Sequence, residues 1–489
     1  MVSTASPPPK RLRGDAASSR STRDAGLGSL SPLPDEAIVL VLGFLSPQEL
    51  GALSCTSRAL YCFASWNELW KGVVLEGELG QEVAEDGPSS SSAPESPSWV
   101  YRTSWKATWL SAQGPRGAAE AQPSLAEQRR LGERWKFYSE LLYRAWLCAH
   151  LDPDPAWLEE ETVERRSGLS PEEFSREYER QNRPVILTDA VDRWPALQAW
   201  SRDRLDELFQ AEAVCVNDAP WTWEGYRAYA EEQEDELPLY LFDPHILRRR
   251  PGLARDAPAP AHFARQDLFR VLGDRRPDWR WLILGPSRSG STFHVDPNAT
   301  CAWNAVVWGA KRWVLYPPHC TPPGVRASAD GGHVACPPSP MDWYLGFYSE
   351  RAAGGVVPLQ CTLRAGEVLF VPREWWHMAL NLKETLAVTQ NYVCAANLGR
   401  VLDVLATENV DLISGLADLD ERRTLHRRFL AALQEQAPEA LREARECEDE
   451  RMERIKEKNA LASLFKSPAE AVEASNQVPF TFNFAPEQG

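Results

Sequence analysis

The sequence predicts an α+β chain in which helices flank a sandwich or barrel of short strands, and three observations carry the prediction. Up to Leu147, apolar side chains recur at three- and four-residue spacing. From about residue 167 they come as short runs separated by Gly and Pro turns. After Arg400 the pattern turns helical again and is highly charged between Arg422 and Lys458.

With 489 residues the chain has room for two or three domains, and 43% hydrophobic content supplies their cores. Its 53 basic and 69 acidic side chains give a net charge of -16, which argues against wholesale nucleic-acid binding, since phosphate backbones are met by clustered Lys and Arg. Ten cysteines form no C-x-x-C pair and read as reduced, buried thiols of a cytosolic or nuclear protein. Residues 1–30 have no apolar leader, and no later run approaches the ~18 apolar residues of a membrane span. His319, Cys320, His333 and Cys336 read as part of an ordinary surface loop rather than a zinc site, because Pro-Pro-Gly and Asp-Gly-Gly turns separate them.

Residues 1–28 form a basic, Ser/Ala/Pro-rich tail expected to be disordered, with Pro9–Arg13 as a candidate nuclear-import signal. Residues 29–76 contain Leu33-Pro34-Asp35-Glu36 before a helical run through Ile38, Val41, Leu42 and Leu45. Ser46-Pro47 opens a second helix with Leu50 and Leu53, and a third stretch ends in Leu69-Trp70. Residues 77–98 are acidic and Ser-rich and read as a flexible linker, so this small unit and the rest are expected to be separable. Residues 99–160 hold connecting helices, one of them carrying Trp135, Tyr138, Leu141, Leu142, Trp146 and Leu147. Residues 161–400 hold the strands, 401–470 C-terminal helices and 471–489 a polar tail.

Within the strand region, His294-x-Asp296 and a distant His377 supply two imidazoles and a carboxylate. An i, i+2 pair falls on one face of a strand, and a third ligand from a neighbouring strand completes a set that can hold one face of an octahedral iron(II) and leave the other open. Cys301–Trp308 and Lys311–Tyr316 flank Gly309-Ala310, which suits a II′ hairpin pairing Trp308 with Lys311, Val306 with Trp313 and Asn304 with Leu315. On that register Asn304, Val306, Trp308, Lys311, Trp313 and Leu315 share one largely apolar face. A buried Lys311 needs an anionic partner that the hairpin lacks, and the distal carboxylate of 2-oxoglutarate would serve. In the last strand Thr385, Ala387, Thr389 and Asn391 share a small-residue face suited to a cosubstrate.

These residues resemble two known families. Leu33-Pro34-Asp35-Glu36, Ser46-Pro47-Gln48-Glu49-Leu50, Cys55-Thr56-Ser57-Arg58-Ala59-Leu60 and Leu69-Trp70 resemble an F-box, a three-helix unit. The resemblance implies capture of the Skp1 adaptor of a cullin ubiquitin ligase, through apolar residues such as Leu33, Leu50 and Leu53. The run from Gly285 to Gly290, His294-Val295-Asp296-Pro297, Ala302–Ala305, Gly309, Lys311-Arg312-Trp313, Pro372, Trp376-His377, Asn381-Leu382 and Thr389-Gln390-Asn391 resembles the jumonji-C oxygenases. Within them it is most similar to the branch of the bifunctional arginine demethylase and lysyl hydroxylase. The fold so implied is a double-stranded β-helix, a cupin-like jelly roll, over about residues 165–395. The resemblance makes His294, Asp296 and His377 catalytic ligands of Fe(2+), with 2-oxoglutarate and O2 as cosubstrates. Lys311 would bind the distal carboxylate, and Asn304, Thr389, Tyr240 and Ser291 would line its pocket. Thr292 departs from the family pattern and is expected to add bulk near the entrance.

The implied activity is hydroxylation or demethylation of Arg or Lys side chains in a protein substrate such as a histone or RNA-associated protein, in the nucleus. Two further readings stay open: an F-box substrate receptor whose barrel only binds clients, and an oxygenase acting on RNA. Neither a membrane nor direct nucleic-acid binding is expected.

Overall fold

A computed structural model describes residues 21–79, 99–113, 136–210, 212–264, 267–328 and 332–464. The candidate import signal, most of the Ser-rich linker, Trp135 and the polar tail lie outside the described residues. The chain divides into two units, one holding residues up to Asp152 together with Leu208–Leu239, the other Pro153–Glu207 and everything from Tyr240 onward.

The first unit is mainly helical, with one antiparallel hairpin of Ala213–Val216 and Ala219–Thr222. α1 (Thr22–Leu27) is capped by Ser21, buries Leu27, and sends Arg23 to Asp35 at 2.7 Å. It lies where the composition implied a disordered tail; a cap, an ion pair and one buried leucine suffice to fix it. α2 (Asp35–Leu42), α3 (Pro47–Ser54), α4 (Arg58–Ala64) and α5 (Asn67–Leu79) follow, so the F-box-like segment has four helices rather than three. Ser46 and Glu49 form a capping box at the start of α3, as the Ser-Pro-x-Glu order implies. α6 (Trp105–Ala112), α7 (Glu140–His150) and α8 (Trp223–Glu232) complete the unit.

The F-box-like helices are not self-contained. Asp235 is fully buried and accepts from Asn67 Nδ2 at 2.8 Å, Trp105 Nε1 at 2.9 Å and Tyr229 OH at 2.6 Å, with Lys71 Nζ at 3.0 Å. Those donors come from α5, α6 and α8, and they satisfy a carboxylate that would otherwise be costly to bury. Edge-to-face contacts among Tyr101, Trp105, Trp221 and Tyr229 surround it. A separable F-box is therefore corrected: its last helix shares a core with residues far along the chain.

Ten strands form most of the barrel of the second unit: β1 (Val185–Leu187), β2 (Leu241–Asp243), β3 (Arg280–Gly285), β4 (Gly290–His294), β5 (Cys301–Trp308), β6 (Ala310–Tyr316), β7 (Leu359–Arg364), β8 (Val368–Val371), β9 (Trp376–Asn381) and β10 (Thr385–Tyr392). One sheet includes, as consecutive neighbours, β1-β8-β5-β10-β3-β2, and the facing one is β7-β6-β9-β4. From β3 onward the chain passes repeatedly between the two sheets, which is the double-stranded β-helix expected. Between them lies an apolar core that includes Ile186, Ile283, Val306, Leu315, Leu363, Leu369 and Ala387. α9 (Pro340–Phe347) precedes β7, and α10 (Ala395–Leu405), α11 (Leu419–Gln436) and α12 (Pro438–Leu464) follow the barrel, with Leu398, Val401, Leu425, Phe429 and Leu433 in a second core.

The expected hairpin of β5 and β6 does not form. β5 pairs with β8 and β10, whereas β6 pairs with β7 and β9 in the other sheet. Gly309, at φ +101°, is the corner between sheets, and a Cβ there would stand 2.3 Å from Thr385 Oγ1. Asn304, Val306, Lys311, Trp313 and Leu315 nevertheless all meet in the barrel interior, because both strands turn a face to the same core. Trp308 does not. The register slips between Leu386 and Ala387, a bulge that moves Trp308 to the opposite face, where its indole donates to the Trp200 carbonyl at 2.8 Å.

Candidate metal centre

The site is assembled from the ends of two neighbouring strands. β4 and β9 pair antiparallel with His294 opposite His377, and their ring centroids lie 4.2 Å apart. Asp296 follows β4 in extended conformation, just ahead of the turn at Pro297. One ligand atom from each of His294, Asp296 and His377 lies within 4.8 Å of the others. Close pairing of these strands depends on Gly290, whose Cβ would fall 2.0 Å from the Ala379 carbonyl oxygen.

The donor set suits a cation. His294 Nδ1 stands 2.8 Å from the Thr292 carbonyl and His377 Nδ1 2.9 Å from the Trp375 carbonyl. A carbonyl only accepts, so each Nδ1 carries the proton and each Nε2 presents a lone pair. Burial pushes both imidazoles down to about 4, with the neighbouring His377 adding to the effect on His294. Burial raises the Asp296 carboxyl, although His294 and the Asn391 amide pull it the other way, and its Oδ2 has no hydrogen-bond partner. Two neutral imidazoles and an unsatisfied buried carboxylate oxygen are what a divalent metal on one face requires.

The centre opens on a cavity of about 110 Å³ whose lining includes Tyr240, Ser291, Asn304, Lys311 and Thr389, every pocket residue expected from sequence. The β4–β9 register gains one residue on β4 between Ser291 and His294, and that bulge turns both side chains inward. Thr292 is not among the lining residues, and its carbonyl accepts from His294. Lys311 is 5% exposed, and burial without an acidic neighbour lowers its ammonium to about 8. Its Nζ lies 5.6 Å from the Trp313 ring centre. Thr389 donates to the Trp303 carbonyl at 2.9 Å and would have to rotate to serve a bound molecule.

Asn381 had no role in the sequence-based pocket. It sits opposite Lys311 on β9, is 1% exposed, donates to Ser289 Oγ at 2.9 Å and leaves its Oδ1 unpaired. Its signal was parity, since His377, Ala379 and Asn381 alternate onto one face. All ten cysteines are free, and only half of them are buried: Cys148, Cys301, Cys361, Cys394 and Cys447. Among the described residues no single helix is long and apolar enough to cross a membrane.

A double-stranded β-helix holding a candidate metal centre of this composition defines a cupin-like protein. Residues 171–395 match the cupin-like domain family and residues 30–76 the F-box-like family. The chain is 39% identical over 426 residues to the arginine-specific demethylase JMJ22 of Arabidopsis thaliana, covering 86% of this chain and 79% of that one. It is 35% identical over 255 residues to the bifunctional arginine demethylase and lysyl-hydroxylase psr-1 of Caenorhabditis elegans, covering 49% and 63%. It is 32% identical over 178 residues to the human 2-oxoglutarate and iron-dependent oxygenase JMJD4, covering 35% and 40%. The chain belongs to the jumonji-C family of cupin-like oxygenases, and carries an F-box-like segment ahead of the barrel.

Proposed function

We propose that the protein is an iron(II)- and 2-oxoglutarate-dependent oxygenase that hydroxylates or demethylates Arg or Lys side chains of a protein substrate. The observation that carries this is the cluster of His294, Asp296 and His377 in one cavity with Lys311, whose ammonium is buried without an acidic neighbour. Relatives named as demethylases, a lysyl hydroxylase and an iron-dependent oxygenase support it. When bound, iron(II) with 2-oxoglutarate supplies oxidation of a C–H bond by O2, with succinate and carbon dioxide as coproducts. The chain's own residues bind and orient. Nε2 of each histidine and the Asp296 carboxylate hold the metal on one side. Lys311 meets the distal carboxylate, with the Asn304, Asn381 and Ser291 polar groups and the Tyr240 ring around the cosubstrate. Phe242, Ile283, Trp313 and Val371 form an apolar part of the cavity wall.

Asp296→Ala is the direct test, because it removes the one charged ligand and leaves two. Iron(II) affinity should fall at least tenfold and succinate formation should vanish while the thermal unfolding midpoint stays within a few degrees. Near-normal iron binding and turnover in this variant would overturn the assignment.

We infer further that the F-box-like segment captures a Skp1-type adaptor of a cullin ubiquitin ligase. Leu50, expected from sequence to touch that partner, is fully buried, and Leu53 is half-buried. The apolar side chains available are Leu40 at 66%, Val41 at 47% and Phe44 at 82% exposure, beside Leu33. We also infer a nuclear location, from the basic run Pro9–Arg13; a tagged protein that stays outside the nucleus would exclude it.

A further inference from the structure

At the end of the barrel where His294 and His377 lie, a second cleft of about 260 Å³ is lined by Arg180, Asn182, Arg373, Arg451 and Arg454, with Glu374 its one acidic member. Four guanidinium groups line it, three of them balanced by glutamates outside the lining. Arg180 pairs with Glu443 at 2.7 Å and Glu450 at 3.5 Å, Arg451 with Glu448 at 2.8 Å, and Arg454 with Glu450 at 3.7 Å. Arg373 is different. It is 6% exposed, donates to the Ala396 carbonyl at 2.9 Å, and has no carboxylate within ion-pair distance among the described residues. Glu374, next to it, is drawn away to Arg400 at 2.7 Å. A buried guanidinium that faces a cleft without a counter-ion is a binding group for an oxyanion.

The floor of the cleft is joined to the metal centre by hydrogen bonds. Asn182 donates to the Arg373 carbonyl at 3.2 Å, and the Trp375 indole donates to the Asn182 carbonyl at 2.8 Å. The Trp375 carbonyl in turn accepts from His377 Nδ1. Asn182 and Glu374 both hold positive φ, at +52° and +61°, a conformation that Asn adopts readily and Glu does not. Arg373 is four residues before His377, so their α-carbons are no more than ~14 Å apart.

We propose that this cleft is an oxyanion subsite for the protein substrate, taking a phosphoryl or carboxylate group that lies a few residues from the side chain presented to the metal centre. It rests on the protein-oxygenase reading and narrows it to substrates with acidic flanks. One buried guanidinium in a cleft with glutamates around its rim suits one discrete anion on a peptide better than the continuous phosphates of a nucleic acid, which the overall charge also repels.

The test titrates the full-length protein with a fluorescein-labelled glycine–serine peptide bearing one phosphoserine. Its glutamate twin, its unphosphorylated twin, inorganic phosphate and an RNA decamer are titrated alongside. The expected result is phosphopeptide binding at least tenfold tighter than the unphosphorylated twin, with the glutamate peptide between them, lost in both Arg373→Met and Arg451→Glu/Arg454→Glu. Equal binding of the twins, or wild-type affinity in the Arg451→Glu/Arg454→Glu protein, would overturn the subsite even if Arg373→Met fails to fold. Inorganic phosphate or RNA binding as tightly as the phosphopeptide would overturn the peptide assignment. Succinate release by the wild-type protein with iron(II) and 2-oxoglutarate is measured separately, so failure of the oxygenase reading and failure of the subsite are distinguishable.

Discussion

Lys311 shows how one side chain trades stability for binding. Its ammonium is held at about 8 by burial, against 10.5 in an unfolded chain. Between those values the unfolded state binds a proton that the folded state does not, so stability of the cosubstrate-free protein should rise with pH across this window. Below pH 8 the buried charge is a constant cost of up to about 3 kcal/mol. Lys311→Met should therefore raise unfolding free energy at pH 7, with the gain shrinking toward pH 10.5. The same variant should weaken 2-oxoglutarate binding at least tenfold, and the wild-type affinity should decline above pH 8 as the ammonium is lost. Denaturant titrations at pH 7 and 10 with cosubstrate isotherms would check both; a variant less stable than wild type at pH 7 would show that Lys311 has a partner after all. Gly290 is the opposite kind of residue, where any added atom is the problem. Gly290→Ala should separate β4 from β9 and lower iron(II) affinity, because the methyl would meet the Ala379 carbonyl oxygen.

At the scale of elements, strand parity explains most of the pocket and its interruptions explain the rest. Alternation correctly turned Lys311, Trp313, Thr389 and Asn391 inward. It failed at Trp308 and was silent about Ser291 with His294, and at both places the register of a neighbouring strand slips by one residue. A bulge is invisible to a pattern of period two, because it is set by the partner strand. Helix amphipathicity has a similar limit. In α2, Ile38 and Leu42 face the interior as their spacing implies, yet Val41, from the same periodic set, is 47% exposed. With Leu40 and Phe44 it leaves an apolar patch on a helix end, and Phe44→Asp should abolish adaptor capture in a pull-down with little change in unfolding midpoint. A shift of many degrees would mean that Phe44 packs on its own chain.

At the scale of the molecule, chain order and structural units do not coincide. Residues 208–239 leave the unit that contains the metal centre and complete the helical one, where Asp235 gathers its donors. Truncation should therefore be punished at this carboxylate. A protein beginning at Pro153 would carry Asp235 without Asn67, Lys71 or Trp105, and it is expected to aggregate when expressed alone. Co-expression with residues 1–152 should restore solubility, assessed by gel filtration. A well-folded, monomeric 153–489 fragment would show that the buried network is dispensable.

What the sequence determined by itself was chemistry and local order: the His294-x-Asp296 and His377 set, the inward lysine, the start of α3 at Ser46-Pro47, and the family the motifs resemble. These are legible because ligand identity, capping and alternation are properties of residues within a few positions of one another. Tertiary structure alone decided that β5 and β6 belong to different sheets, that Asn381 stands opposite Lys311, and that Asp235 binds α5 from 164 residues beyond Lys71. Those outcomes depend on which distant strand or helix supplies the next hydrogen bond. A buried polar group accepts whatever donor the fold brings to it, and spacing along the chain carries no record of that choice.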